Sequence, residues 1–127
     1  MIKQPITIKT NNDFWLKVVL YKKENGVQTI YSFLNDYIDL WLSNDSCNCI
    51  KCDFINKGEY LLFYCKDLKG GCYNFHFALN HNKTVFYEKD ILNILNRETN
   101  VEPLIIDGGN YKLIIEYKPT KEIKNEI

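Results

Sequence analysis

The chain has 127 residues, of which 46% are hydrophobic and 14% aromatic, and its 16 basic side chains balance 16 acidic ones. Such a chain is expected to form one domain, residues 1–127, with enough apolar surface for a single core packed without help from metal or disulfides, which excludes a disordered polypeptide. Arg97 is the one arginine and there is no basic excess, so direct nucleic-acid binding is not expected: phosphate neutralisation needs surplus cations, and base reading leans on the arginine fork.

No basic leader precedes an apolar run with a small-residue cleavage site, and no apolar run approaches about 18 residues. Neither export nor membrane insertion is expected, and the cytoplasm is the expected place of work. Five cysteines is an odd count that a closed disulfide framework does not explain, and in a reducing compartment they should be free, mostly buried thiols. Ile, Asn, Lys and Tyr are abundant and Ala78 is the only alanine, a bias that reports an AT-rich or horizontally acquired gene.

In chain order, 6–10 and 14–23 are rich in β-branched and aromatic residues and read as strands, the second closed by the turn Glu24-Asn25-Gly26. Over 29–43 the period changes. At 100° per residue, Ile30, Phe33, Leu34, Tyr37, Ile38 and Trp41 share one face, and Ser32, Asn35, Asp36, Asp39 and Ser43 share the other, which predicts an amphipathic helix. From Ile50 the period returns to two, with 50–55 and 59–66 forming a hairpin around Asn56-Lys57-Gly58. Strands follow at 72–79 and 84–87, then a short helix over 89–97 with Ile91, Leu92 and Leu95 inward. A last hairpin joins 104–106 to 111–117, and the charged tail 119–127 is expected to be mobile. The expected fold class is therefore α+β: a mostly antiparallel sheet of hairpins packed against one amphipathic helix, with a second short helix.

Chemistry is sought first in the cysteines. Zinc favours two close pairs of ligands, and here Cys49 and Cys52 make one pair while Cys65 and Cys72, six residues apart, would have to make the second. If 50–55 is a strand, Cys49 and Cys52 point to opposite faces. Structural thiols are thus the expectation, with no metal or cofactor, and a small zinc domain on Cys49, Cys52, Cys65 and Cys72 is the alternative. A redox pair would sit at a helix N-terminus, whereas Cys49-Ile50-Lys51-Cys52 enters a strand.

His76 alternates with Phe75 and Phe77, which turns it to solvent, and His81 falls in a polar turn. Neither has a nucleophile partner by sequence. Gly70-Gly71 and Gly108-Gly109 join strand-like runs and do not lead into a phosphate-binding helix. No catalytic constellation emerges, so the chain is not expected to be an enzyme. One charge feature remains: no basic residue lies between Lys23 and Lys51, while Glu24, Asp36, Asp39 and Asp45 are acidic. These four are the candidate partner-binding residues, a patch able to attract a basic protein.

The order of FWLKVVLYKKENG, SFLNDYIDLWL, the "EYLLF" run at 59–63, the turn from Asp67 to Gly71 and the closing "YEKDIL" at 87–92 resembles immunity proteins of polymorphic toxin systems. The resemblance is to the wall-associated-protein immunity and contact-dependent growth inhibition immunity groups, and it covers roughly residues 14–95. Some relatives carry a Gly-His after the central turn, where this chain has Gly71-Cys72. The resemblance implies a cytoplasmic protein that binds a cognate, basic, nuclease-type toxin domain and blocks it stoichiometrically. A phage-encoded inhibitor of a host defence protein is a variant with the same physics.

Overall fold

The structure is a computed structural model that describes residues 5–8, 13–34, 36–44, 49–66, 68–79, 84–94 and 101–126. Eleven strands run in chain order: β1 (Ile6–Ile8), β2 (Phe14–Glu24), β3 (Val27–Ile30), β4 (Ile38–Asn44), β5 (Cys49–Lys51), β6 (Phe54–Asn56), β7 (Leu61–Cys65), β8 (Gly71–Leu79), β9 (Thr84–Ile94), β10 (Leu104–Asp107) and β11 (Tyr111–Pro119). Two single 3-10 turns, Thr120–Glu122 and Lys124–Glu126, follow the last strand.

The strands form two sheets. Sheet A has the order β1-β9-β8-β4-β5, and sheet B has the order β10-β11-β2-β7-β6. β3 pairs with the far end of β2, along Tyr21–Glu24, on the side that β7 occupies nearer the start of β2. Pairing is antiparallel except at β1, which runs parallel to β9. Inward residues of both sheets, among them Leu16 and Phe63 from B and Leu40, Phe75 and Phe77 from A, form one core cluster, so the sheets face each other as a sandwich. The Phe63 and Phe75 rings meet across the middle, 5.6 Å apart.

This architecture corrects the α+β expectation. The fold is all-β, and no helix of seven or more residues exists among the described residues. The helix expected over 29–43 is instead the end of β3, a connection, and β4. Two local forces decide this. Asn25 and Gly26 both adopt positive φ, 51° and 77°, the twist of a two-residue hairpin turn, and this commits 27–30 to pairing with β2. Then Ile38-Asp39-Leu40-Trp41-Leu42-Ser43 alternates, and β4 between β5 and β8 buries Ile38, Leu40 and Leu42 together. A helix would have left Leu40 and Leu42 off its apolar stripe. Leu34 and Tyr37, which that stripe needed inside, are 71% and 68% exposed.

The second expected helix, over 89–97, is likewise corrected. β9 runs on to Ile94, with Ile91, Leu92 and Ile94 all buried, past an irregularity in its pairing with β8 between Tyr73 and Phe75. Residues 95–97 lie outside the described residues.

The chain's own end packs on the Trp15 and Leu62 part of sheet B's outer face. Ile123 is completely buried against Trp15 and Leu62, Tyr60 donates a hydrogen bond to Glu126, and the Thr120 hydroxyl donates to the Asp13 carbonyl. An apolar residue every strand-width on that face would otherwise be wet. Ile123→Ala is expected to lower stability by about 1–2 kcal/mol, less than a central core truncation because a terminal strap can detach locally. Urea denaturation of the variant checks this.

Candidate functional site

The outer face of sheet A carries an aromatic row, half-buried at Trp41 and His76 and exposed at Tyr87. Once β4 alternates, Leu40 and Leu42 go inward and Asp39, Trp41 and Ser43 go outward. On β8, Tyr73, Phe75, Phe77 and Leu79 are buried, so His76 and Ala78 face outward. Register then aligns one residue from each of four strands: Lys51 faces Trp41, Trp41 faces His76, and His76 faces Tyr87. Cross-strand neighbours of this kind lie within side-chain contact.

The rings pack accordingly. The Trp41 indole and the His76 imidazole stack with centroids 5.0 Å apart and planes 10° from parallel. His76 meets Tyr87 at 4.6 Å, and Tyr87 keeps 46% of its surface exposed. His76 Nε2 lies 2.9 Å from the Ser43 hydroxyl, which orients the ring from one side. Burial between its neighbours pushes the His76 pKa below its ordinary 6.5, so the imidazole is neutral at neutral pH.

The sign of the pH effect follows. Below about pH 6.5 the unfolded chain takes up a proton that native His76 resists, so this contribution is complete above 6.5 and is lost as pH falls through the lower native value. Native stability is expected to fall from pH 7 towards pH 5, and His76→Gln should flatten that dependence in thermal melts. Asp107 titrates lower still, since the Lys23 ammonium holds its carboxyl below the usual range.

A serine beside a histidine invites comparison with acyl-transfer sites, but the setting differs. Ser43 sits mid-sheet, with β5 on one side and β8 on the other, so its backbone amide belongs to a ladder and cannot serve as an oxyanion donor. The arrangement is chemically suited to contact: a row of packed rings with Lys51 at one end and Asp39 on the same face, two residues along β4 from Trp41.

Of the four acids expected to form one patch, the three described ones fall into separate settings. Glu24 closes the β2–β3 hairpin on sheet B and pairs with Lys22 at 2.7 Å. It lines a hollow of about 280 Å³ with Lys22, Lys23, Asn110 and Tyr111, which mixes both signs of charge. Asp36 lies in the connection between β3 and β4 and accepts a hydrogen bond from the Tyr31 hydroxyl; burial first and this bond second push Tyr31 up to about 12. Asp39 alone shares the aromatic face. Asp45 lies outside the described residues.

The three described cysteine side chains fall into two settings. Cys52 and Cys65 are buried in the core between the sheets, whereas Cys72 is exposed at the start of β8. The Cys49 side chain lies outside the described residues. Burial, and then the Asp53 charge, push Cys52 up to about 12, and burial, followed by the neighbouring Cys52, raises Cys65 well above its ordinary 9.0. These three cysteines therefore do not converge on one ligand set, and no group of three or more potential metal ligands occurs among the described residues.

Sequence reasoning turned His76 outward but missed Trp41, Ser43 and Tyr87 as its companions. The signal was the alternation of 38–43, which places Trp41 between Asp39 and Ser43 as soon as the segment is a strand.

Fold and site together define a class of protein: an all-β sandwich with its C-terminal segment packed on part of one outer sheet face and an aromatic row on the other. Comparison with protein-family models finds no match to the chain, and comparison with curated proteins finds none either.

Proposed function

We propose that the protein is an immunity-type binding protein, which attaches to a cognate toxin domain in the cytoplasm and blocks it stoichiometrically, and that the row Trp41, His76 and Tyr87 is the centre of its contact surface. The observation that carries this reading is the aromatic row Trp41, His76 and Tyr87 on the outer face of sheet A. Interfaces concentrate their energy in a few aromatic anchors surrounded by polar groups that exclude water. Here Trp41 and Tyr87 supply the anchors, and Lys51, Ser43 and Asp39 supply the polar surround.

The site works by occlusion, without turnover by the chain itself. Ser43 holds the imidazole, the imidazole separates and aligns the indole and phenol, and three rings set by a rigid sheet need little ordering on binding. The partner is a toxin domain of nuclease type with a basic side chain opposite Asp39, the acid placed next to the anchors.

The test is survival. Cells expressing the toxin domain encoded beside this gene are plated with and without this protein. Rescue of colony formation by this protein, and formation of a one-to-one complex on gel filtration, are the expected results. Killing that it does not reverse, for toxin domains that do kill, overturns the reading.

A further inference from the structure

Cys52 and Cys65 meet where the chain crosses from one sheet to the other. β5 belongs to sheet A and β6 to sheet B, and only Cys52 and Asp53 separate them. At this corner the Cys52 amide still donates to the Leu40 carbonyl of sheet A, while the Asp53 carbonyl already accepts from the Tyr64 amide of sheet B.

The second bond extends the β6–β7 ladder. Phe54 faces Phe63, Ile55 faces Leu62 and Asn56 faces Leu61, so Asp53 faces Tyr64 and Cys52 faces Cys65. Parity assigns the kind of pair. Asp53 with Tyr64 is hydrogen-bonded, as is Lys57 with Tyr60 at the other end, so Cys52 with Cys65 falls at a non-hydrogen-bonded position. Facing Cα atoms at such positions lie about 4.5 Å apart, within the span of about 4.4–6.8 Å that a disulfide bridges. Both side chains point inward and join the same core cluster.

We propose that Cys52 and Cys65 are a modification site: a facing thiol pair that a low-molecular-weight disulfide, such as oxidised glutathione, closes into a disulfide pinning the crossing between the two sheets. The proposal is independent of the binding reading. Access is through a hollow of about 270 Å³ lined by both cysteines together with Lys51, Asp53, Tyr64 and Lys66, a lining of mixed charge.

The chemistry balances in two exchanges. One cysteine, as thiolate, attacks a sulfur of the oxidant, forming a mixed disulfide and expelling one glutathione thiolate. The facing cysteine then displaces the second glutathione thiolate and completes the Cys52–Cys65 bond. Two protons leave the cysteines, and the oxidant ends as two thiols. Because burial holds both thiols protonated, closure is slow at neutral pH and quickens as pH rises.

The experiment uses the purified full chain. Native protein is incubated with oxidised glutathione at pH 8.5, blocked with N-ethylmaleimide, digested and read by mass spectrometry, and the thermal midpoint is measured before and after. Expected are a peptide pair joining Cys52 to Cys65, lighter by two hydrogens than the reduced pair, and a midpoint about 10 °C higher, returned by dithiothreitol. The single variants Cys52→Ala and Cys65→Ala should lose the linked pair and the rise. Cys52 and Cys65 found entirely reduced or joined only to other cysteines, or a linked protein melting no higher than the reduced one, overturns the proposal. The readout on unsubstituted protein stands even if a variant folds poorly.

Discussion

Replacing Trp41 and Tyr87 together by alanine is expected to weaken partner binding by roughly 1,000-fold while the protein stays folded. Each buried aromatic anchor in an interface carries about 2 kcal/mol or more, and about 1.4 kcal/mol is a factor of ten in affinity. Both side chains project from the outer face of sheet A, away from the core cluster, so truncation removes contact surface without opening a cavity between the sheets. His76 would lose both rings that flank it, which is part of the effect: the imidazole then titrates closer to its ordinary value. Glu24→Gln is the matched control, because Glu24 lies on the other sheet in an exposed pair with Lys22, and surface pairs contribute little. Titration calorimetry on the purified complex, with thermal melts of each free variant, is the measurement. A double variant that binds as tightly as the unsubstituted protein removes the aromatic row from the interface, and a control that loses binding relocates the interface to the β2–β3 hairpin.

Truncation of Phe75 to alanine is expected to cost about 3–5 kcal/mol of stability. Phe75 is completely buried, touches Phe63 of the opposite sheet at 5.6 Å, and stacks on Phe77 along its own strand at 5.9 Å. It is a hinge of contact between the two layers, so its removal leaves a cavity that neither sheet closes without bending. Against a total of roughly 5–15 kcal/mol for a domain, such a loss populates the unfolded state near body temperature. Urea titration with an unchanged dependence on denaturant confirms that the native state has lost stability and kept its compactness. A loss below about 1 kcal/mol would mean that the two sheets are not held together at this point.

The strands that stand alone in sequence were the legible part. β2, β7, β8 and β11 each combine β-branched or aromatic residues with turn residues at both ends, and the structure places strands there. The outward turn of His76 was legible for the same reason, since Phe75 and Phe77 on either side leave it one face. What misled was 29–43, where apolar spacing satisfied a helix. Short apolar runs fit both periods, and the choice depends on a neighbour to pair with: β8 for Leu40 and Leu42, β2 for Ile30. Within the charged tail one isoleucine, Ile123, packs against Trp15 and Leu62, a contact that its neighbours in the chain do not announce.

Hairpin turns and the alternation that separates inside from outside along a strand were readable from residues close together in the chain. The choice of strand neighbours was not, for it belongs to the assembled fold. Pairing of β4 with β8 and of β8 with β9 brings Trp41, His76 and Tyr87 into one row, and crossing from β5 to β6 brings Cys52 into one core cluster with Cys65. Contacts between residues so far apart are selected by burial of whole sheet faces against each other, a cooperative property of the assembled core that no local spacing encodes.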